Sequence, residues 1–222
     1  MTDGITARQF RESDGVEDWP VLSEGACTYF RTGSFAAGVR LVQAIGKLAG
    51  LDDHSPDVDL RHDGVTVRLI TITDDYYGMS QRDVELARQI SALAREQGVE
   101  ADPSAVQTVL IVPGAPNTAE VVPFWRAVLG YEPRGDSPEE DLVDPRDRGP
   151  AFWFEAMKEP RPDGGGAIHI AVWVPYEQAE ARVAAALAAG GRMVRDQFAP
   201  AWWTLADAAG NEADIATTMS RD

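Results

Sequence analysis

His54-Ser55-Pro56-Asp57-Val58-Asp59-Leu60-Arg61-His62-Asp63-Gly64-Val65-Thr66-Val67-Arg68-Leu69 holds two of the chain's three histidines. Pro56 marks a turn, because its ring fixes φ and removes a backbone donor. From Val65 onward the apolar Val65, Val67 and Leu69 alternate with Thr66 and Arg68. A period of two predicts a strand with one buried face. Upstream, Ala26–Arg31 reads as a strand rich in Thr, Tyr and Phe. Ser34 is a helix cap. Phe35, Val39, Leu41, Val42, Ile45 and Leu48 then recur at helical spacing up to Gly50. Downstream, Asp74–Gly78 reads as a loop. Ser80 and Asp83 form an [ST]-x-x-[DE] capping box that opens a helix burying Val84, Leu86, Ala87, Ile90, Leu93 and Ala94. Gly98 stops that helix. Residues 1–18 are polar and expected to fray.

A linker is expected at 99–104, separating domains at 1–98 and 105–222. Beyond it the pattern changes. Strand 106–112, helix 119–129, and strands near 142–143 and 152–157 are followed by strand 168–174, helix 178–189 and three further strands to 217. The order βαβββ occurs twice. A Gly/Pro-rich loop at 160–166 joins the two units, and Glu139-Glu140-Asp141 reads as a solvated loop.

Bulk properties narrow the partners. The chain has 222 residues and a formal net charge of −16. The 18 acidic and 10 basic residues up to Ser104 are matched by 18 and 10 beyond it, so the negative field is even. Such a field repels phosphate backbones and anionic membranes, which argues against nucleic acid and membrane partners. No stretch approaches the length of a membrane span. The N-terminus lacks the pattern of a signal peptide. Cys27 is the single cysteine, which excludes an internal disulfide and fits the reducing cytoplasm. With no basic neighbour in sequence, it reads as a core thiol.

The first half, Trp19 to Ala94, resembles the pterin-4a-carbinolamine dehydratase family. The resemblance is carried by His54-Ser55-Pro56-Asp57, the strand Val65–Leu69, and Gly78-Met79-Ser80 running into a helix near Asp83. It implies an antiparallel sheet flanked by helices. It also implies histidines that act as acid and base while a 4a-hydroxyl leaves a reduced pterin, work suited to a group whose pKa lies near working pH. Of the family's three histidines, His54 stands in place and Ser55 replaces the second. The third falls at Ile72 when aligned from the preceding strand, or at Asp74 when aligned back from Gly78. Serine cannot serve as a general acid near pH 7. Asp74 can if burial raises its pKa, and His62 can if it turns inward. His54, Asp74 and His62 are therefore the candidate catalytic residues, with dehydratase activity expected to be lost or altered.

The second half, Ala105–Thr217, resembles the vicinal-oxygen-chelate superfamily of glyoxalase and bleomycin-resistance proteins. Pro123–Tyr131, Ala206–Glu212 and Ile168-His169-Ile170 carry this resemblance. It implies a curved sheet around a cleft and four metal ligands from the first and last strands of each unit. Those positions are Gln107, Glu155, His169 and Asp214. Their oxygen and nitrogen donors suit Fe, Mn, Ni, Zn or Co. The expected fold class is α+β throughout. Two functions compete: lyase-type chemistry on a pterin-like or other heteroaromatic small molecule, or sequestration of such a ligand without turnover. A homodimer is implied by the family resemblance alone.

Overall fold

The computed structural model describes residues 4–23, 25–157, 168–206 and 212–220. Residues 4–18 of the N-terminal stretch expected to fray are ordered. β1 (Gly4–Ile5) leads to α1 (Ala7–Arg11), where Thr6 Oγ1 accepts the Gln9 N–H at 3.1 Å and the Gln9 side chain accepts the Thr6 N–H at 2.8 Å. This reciprocal cap satisfies donors that a helix start leaves orphaned. Phe10 and Val16 are buried, so two apolar anchors outweigh the polar composition around them.

There follow β2 (Val21–Leu22), β3 (Gly25–Arg31), α2 (Phe35–Ile45), β4 (Asp57–Leu60), β5 (Gly64–Leu69), β6 (Thr71–Thr73), β7 (Tyr76–Ser80), α3 (Gln81–Glu96) and β8 (Glu100–Ala101). One antiparallel sheet runs β2-β3-β5-β4, with β8 also on β3; a smaller one runs β1-β7-β6. Val65, Val67 and Leu69 are buried, as their alternation requires. They pack with Phe30, Leu41, Ile45, Val84 and Ile90 in one core. Burying each such side chain contributes roughly 1.5–3 kcal/mol. Trp19 joins this core and donates its indole N–H to Ser91 Oγ at 2.9 Å, which satisfies both groups.

Three local expectations change. Only Asp74 and Asp75 form a turn, because Tyr76–Ser80 pairs with β6 on one side and β1 on the other. α2 stops at Ile45, with Gly46 as its C-cap, and its first residue, Phe35, is exposed rather than inward. Residues 99–104 are not a bare linker: Glu100 and Ala101 pair with Arg31 and Phe30, and Asp102 ion-pairs with Arg31. The division between the two compact units accordingly falls at Val106/Gln107.

The second unit comprises β9 (Thr108–Ala115), α4 (Thr118–Leu129), β10 (Glu132–Arg134), β11 (Ser137–Val143), β12 (Phe152–Trp153), β13 (Glu155–Ala156), β14 (Ile168–Trp173), α5 (Tyr176–Ala188), β15 (Arg192–Arg195), β16 (Trp202–Ala206) and β17 (Glu212–Ala216). Its sheet runs β10-β11-β12-β9-β14-β17-β16-β15, with β13 also on β9. The run β9–α4–β10–β11–β12–β13 and the run β14–α5–β15–β16–β17 meet at the antiparallel β9/β14 pair. Period two gives each strand an inner and an outer set. Phe152 and Leu142 pack beneath α4, and Val183 of α5 joins Trp203, Leu205 and Ile215. Gly130 closes α4 with φ 68°, a left-handed conformation that favours glycine. The Glu139–Asp141 stretch is not a solvated loop. It lies in β11, where Asp141 is buried and paired to Arg134 at 2.9 Å. The connector at 160–166 and residues 207–211 of the Ala206–Glu212 stretch fall outside the described residues.

In the first unit's sheet, Cys27, Arg68 and Asp57 stand in register across β3, β5 and β4. Cys27 is half-buried, and its loss of solvation pushes the thiol up to about 12, outweighing the opposing Arg68 charge. At pH 8 only about one thiol in ten thousand is then ionised, and the thiolate is the reactive form. Iodoacetamide should alkylate native Cys27 at pH 8 much more slowly than the same thiol in concentrated urea, as mass spectrometry would show. Equal rates in the two states would contradict the raised pKa of this thiol.

Candidate functional site

A buried carboxylate anchors the first site. Asp83 lies in the first turn of α3 with its side chain fully shielded from solvent. Its Oδ2 accepts the Ser80 N–H at 2.7 Å and the Thr71 hydroxyl at 2.8 Å, with the Ser80 hydroxyl at 3.0 Å. The Thr71 and Ser80 hydroxyls are themselves 2.6 Å apart. Its Oδ1 lies 2.8 Å from His54 Nε2. An ionised carboxylate only accepts, so the network assigns the ring N–H to Nε2. Nδ1 is left as the nitrogen able to exchange a proton with a ligand. Four elements meet at this point: the turn before β4, β6, the end of β7 and the start of α3.

Tyr76 borders the same region. Its hydroxyl donates to the Met79 carbonyl at 2.5 Å, and burial followed by the Asp83 charge raises its pKa. Gly4 and Gly78 lie against its ring so closely that a Cβ at Gly4 would come within 2.7 Å of the hydroxyl.

The other expected catalytic residues are not brought to His54 as partners. His62 is exposed in the bend between β4 and β5, because the strand begins only at Gly64. Asp74 is exposed to solvent in the turn between β6 and β7. Ile72, the alternative position for the third family histidine, follows the network residue Thr71 on β6 and is 56% exposed. Ser55 is exposed beside His54. Asp83 and Thr71 were the residues missed. The capping box drew attention to Asp83 as a helix start, but nothing local indicates that its second oxygen holds a histidine 29 residues away.

In the second unit, sheet register decides which side chains meet. His169 pairs with Val112, Ala171 with both Leu110 and Asp214, and Asp214 with Thr204. His169, Asp214 and Thr204 therefore share one face. Asp214 Oδ2 is 3.3 Å from His169 Nε2, while its Oδ1 accepts the Thr204 hydroxyl at 2.6 Å. The Asp214 contact raises the His169 pKa against the opposing effect of burial, with Glu155 and Glu212 adding in the same direction. Glu155 pairs with Gly114, two residues beyond the partner of His169 on β9, and is exposed.

Gln107 does not join them. It precedes Thr108, the partner of Trp173, which is four residues from His169. At about 3.3 Å per residue that is a separation on the order of 13 Å. Its parity also places it on the opposite face, where its Oε1 accepts from Arg182 of α5 at 3.0 Å. Among the described residues no three His, Cys, Asp or Glu side chains gather closely enough to hold a metal ion. The four-ligand set implied by the resemblance is not assembled.

The chain matches two families in sequence. Residues 4–93 match the pterin 4 alpha carbinolamine dehydratase model, and residues 109–216 match the glyoxalase-like domain model. Among curated proteins, one from Mycobacterium leprae named for pterin-4-alpha-carbinolamine dehydratase is 32% identical over 78 residues, covering 35% of this chain and 81% of the relative. A namesake from Nocardia farcinica is 36% identical over 80 residues, covering 36% and 82%. Another from Aquifex aeolicus is 30% identical over 86 residues, covering 39% and 85%. The protein is thus a two-domain α+β chain with a dehydratase-like first unit and a glyoxalase-like second unit. Through its first unit it belongs to the pterin-4a-carbinolamine dehydratase family.

Replacing Asp83 with Ala removes at once the acceptor of the Ser80 N–H, the Thr71 and Ser80 hydroxyls and the His54 ring N–H. We expect a loss of roughly 3–5 kcal/mol in urea unfolding, the range for breaking a buried charged network. Asp83→Asn should lose less, since its carbonyl still accepts. Equal, negligible losses for both variants would show that the network does not hold this corner together.

Proposed function

We propose that the first unit is a lyase-type site for a pterin-like heteroaromatic molecule, with His54 as its single acid–base histidine. The observation that carries this reading is the 2.8 Å contact from His54 Nε2 to the shielded Asp83 carboxylate. Dehydration of a 4a-carbinolamine breaks the carbon–oxygen bond, with the hydroxyl leaving as water. A ring N–H proton is lost as the C=N bond forms. Each event needs a proton transfer. Asp83 orients the imidazole through Nε2, which leaves Nδ1 of His54 as the group to protonate the departing hydroxyl. The ring proton then passes to solvent, because serine and isoleucine at 55 and 72 cannot take it. Turnover is accordingly low beside a site with several histidines. A homodimer in a reducing cytoplasm completes this reading, resting on the family resemblance and on the single cysteine.

For the second unit we favour small-molecule binding without turnover. Phe198 stacks on Trp202 at 4.2 Å with 16° between the rings, and Phe198 remains 43% exposed. Trp202 lies on the same sheet face as Asp214, through their pairings with Ala216 and Thr204. An exposed aromatic platform beside polar groups suits a planar ligand. The residues present do not fit the four-ligand metal set, and no reaction step is assigned through a metal.

Dehydration of a 4a-carbinolamine followed by stopped-flow absorbance tests the first reading. The expected rate is above buffer background and falls to it in His54→Ala. Ile72→His should raise the rate at least about tenfold by restoring a second proton-transfer group, whereas Asp74→His, out in the turn, should not. A wild-type rate equal to background overturns the lyase reading. Elemental analysis of the purified protein tests the second. Near-stoichiometric divalent metal that is lost in His169→Ala would overturn it.

A further inference from the structure

A groove of about 740 Å³ opens between α2 and the far end of α3. Arg31, Arg40 and Lys47 line it, and among the described residues no Asp or Glu does. That segregation goes against the chain as a whole, which carries 36 acidic residues against 20 basic ones. Each cation is placed differently. Arg31 is ion-paired with Asp102 and lies over the Tyr29 ring at 5.9 Å, so its guanidinium is held in position. Arg40 spends one nitrogen on the Ala36 carbonyl at 3.3 Å and has further donors to offer. Lys47 follows the end of α2 and is exposed. Gln43 and Gln97 add neutral polar groups, while Leu48 and Leu93 supply apolar lining.

The groove is separate from the His54 site. Asp83 and Gln97 stand at opposite ends of α3, 14 residues apart, or about 21 Å at the helical rise. Its volume falls within the range of small-ligand sites, roughly 300–1,000 Å³.

We propose that this groove is a second binding site, for an organic oxyanion with an apolar body. The anionic group, a phosphate monoester or a carboxylate, sits between Arg40 and Lys47, with Arg31 at the rim. The body lies against Leu48 and Leu93. Local charge of one sign in a cleft concentrates the opposite ion even on a protein whose net charge repels it. Exposed cations are screened by salt, so binding weakens as ionic strength rises.

Phenyl phosphate, benzoate and neutral phenol serve as probes, with binding to the full-length protein followed by chemical-shift perturbation and calorimetry. The expected result is saturable binding of at least one anion, with shifts at Gln43, Lys47 and Gln97 rather than at His54. The phosphate and carboxylate arms decide which oxyanion is preferred. Arg40→Gln and Lys47→Met, both at exposed positions, should each weaken binding about three- to tenfold, and together more. Raising salt from about 50 to 500 mM should weaken it further. Phenol binding as tightly as the anions would overturn the proposal. So would shifts confined to other surfaces, affinity unchanged in the double variant, or no saturation by either anion. The fate of His54 catalysis has no bearing on this outcome, because none of these variants touches the Asp83 network.

Discussion

The buried carboxylate of Asp83 is the constraint on which the first unit's site depends. A carboxylate removed from water must have its oxygens occupied, or the helix start that holds it is lost. Oδ2 takes the Ser80 N–H and the Thr71 hydroxyl, which ties the start of α3 to β6 and β7. Oδ1 takes His54, which ties in the turn before β4. The same interactions that cap a helix therefore fix the tautomer and orientation of a histidine. Structural need and chemical capacity coincide in one group. This explains how the arrangement around His54 persists while the two further family histidines are absent.

The second unit depends on register. Because side chains alternate across a strand, a shift of one residue sends a group to the opposite face. His169, Asp214 and Thr204 meet because Ala171 pairs with Asp214 and Asp214 with Thr204. Gln107 differs from the inward β9 residues by one step in parity, and it bonds to Arg182 of a helix instead. Four residue types capable of ligation are thus distributed over two faces. The Asp214 carboxylate turns one oxygen to a histidine and the other to a threonine hydroxyl.

Charge is arranged more unevenly in space than along the chain. Both halves of the sequence carry the same excess of acid. In three dimensions Arg31, Arg40 and Lys47 gather along one groove, while Arg134 is drawn between Asp136 and Asp141 beside the Trp153 ring. The buried Asp141 is the reverse of what its acidic neighbours suggested. Burial raises its pKa and the Arg134 guanidinium opposes that shift. A run such as Glu139-Glu140-Asp141 looks solvated in sequence, yet strand alternation sends one member of it inward.

The sequence by itself determined the elements whose causes are local. The alternation at Val65–Leu69, the Ser80/Asp83 cap and the helical spacing beneath α2 and α3 each reflect a backbone period or a short-range hydrogen bond. The family membership and the two-part α+β organisation were legible for the same reason, being carried by short runs of residues. Tertiary structure alone decided which reactive groups meet. His62 and Asp74 lie in turns where solvent reaches them, and Asp83, read only as a cap, became the partner of His54. Gln107 faced away through strand parity, and Glu100 and Ala101 were recruited onto β3 of the first sheet. These outcomes depend on pairings between residues far apart in the chain. The free energy of such pairings comes from burial and register across the whole fold, and no local pattern encodes it.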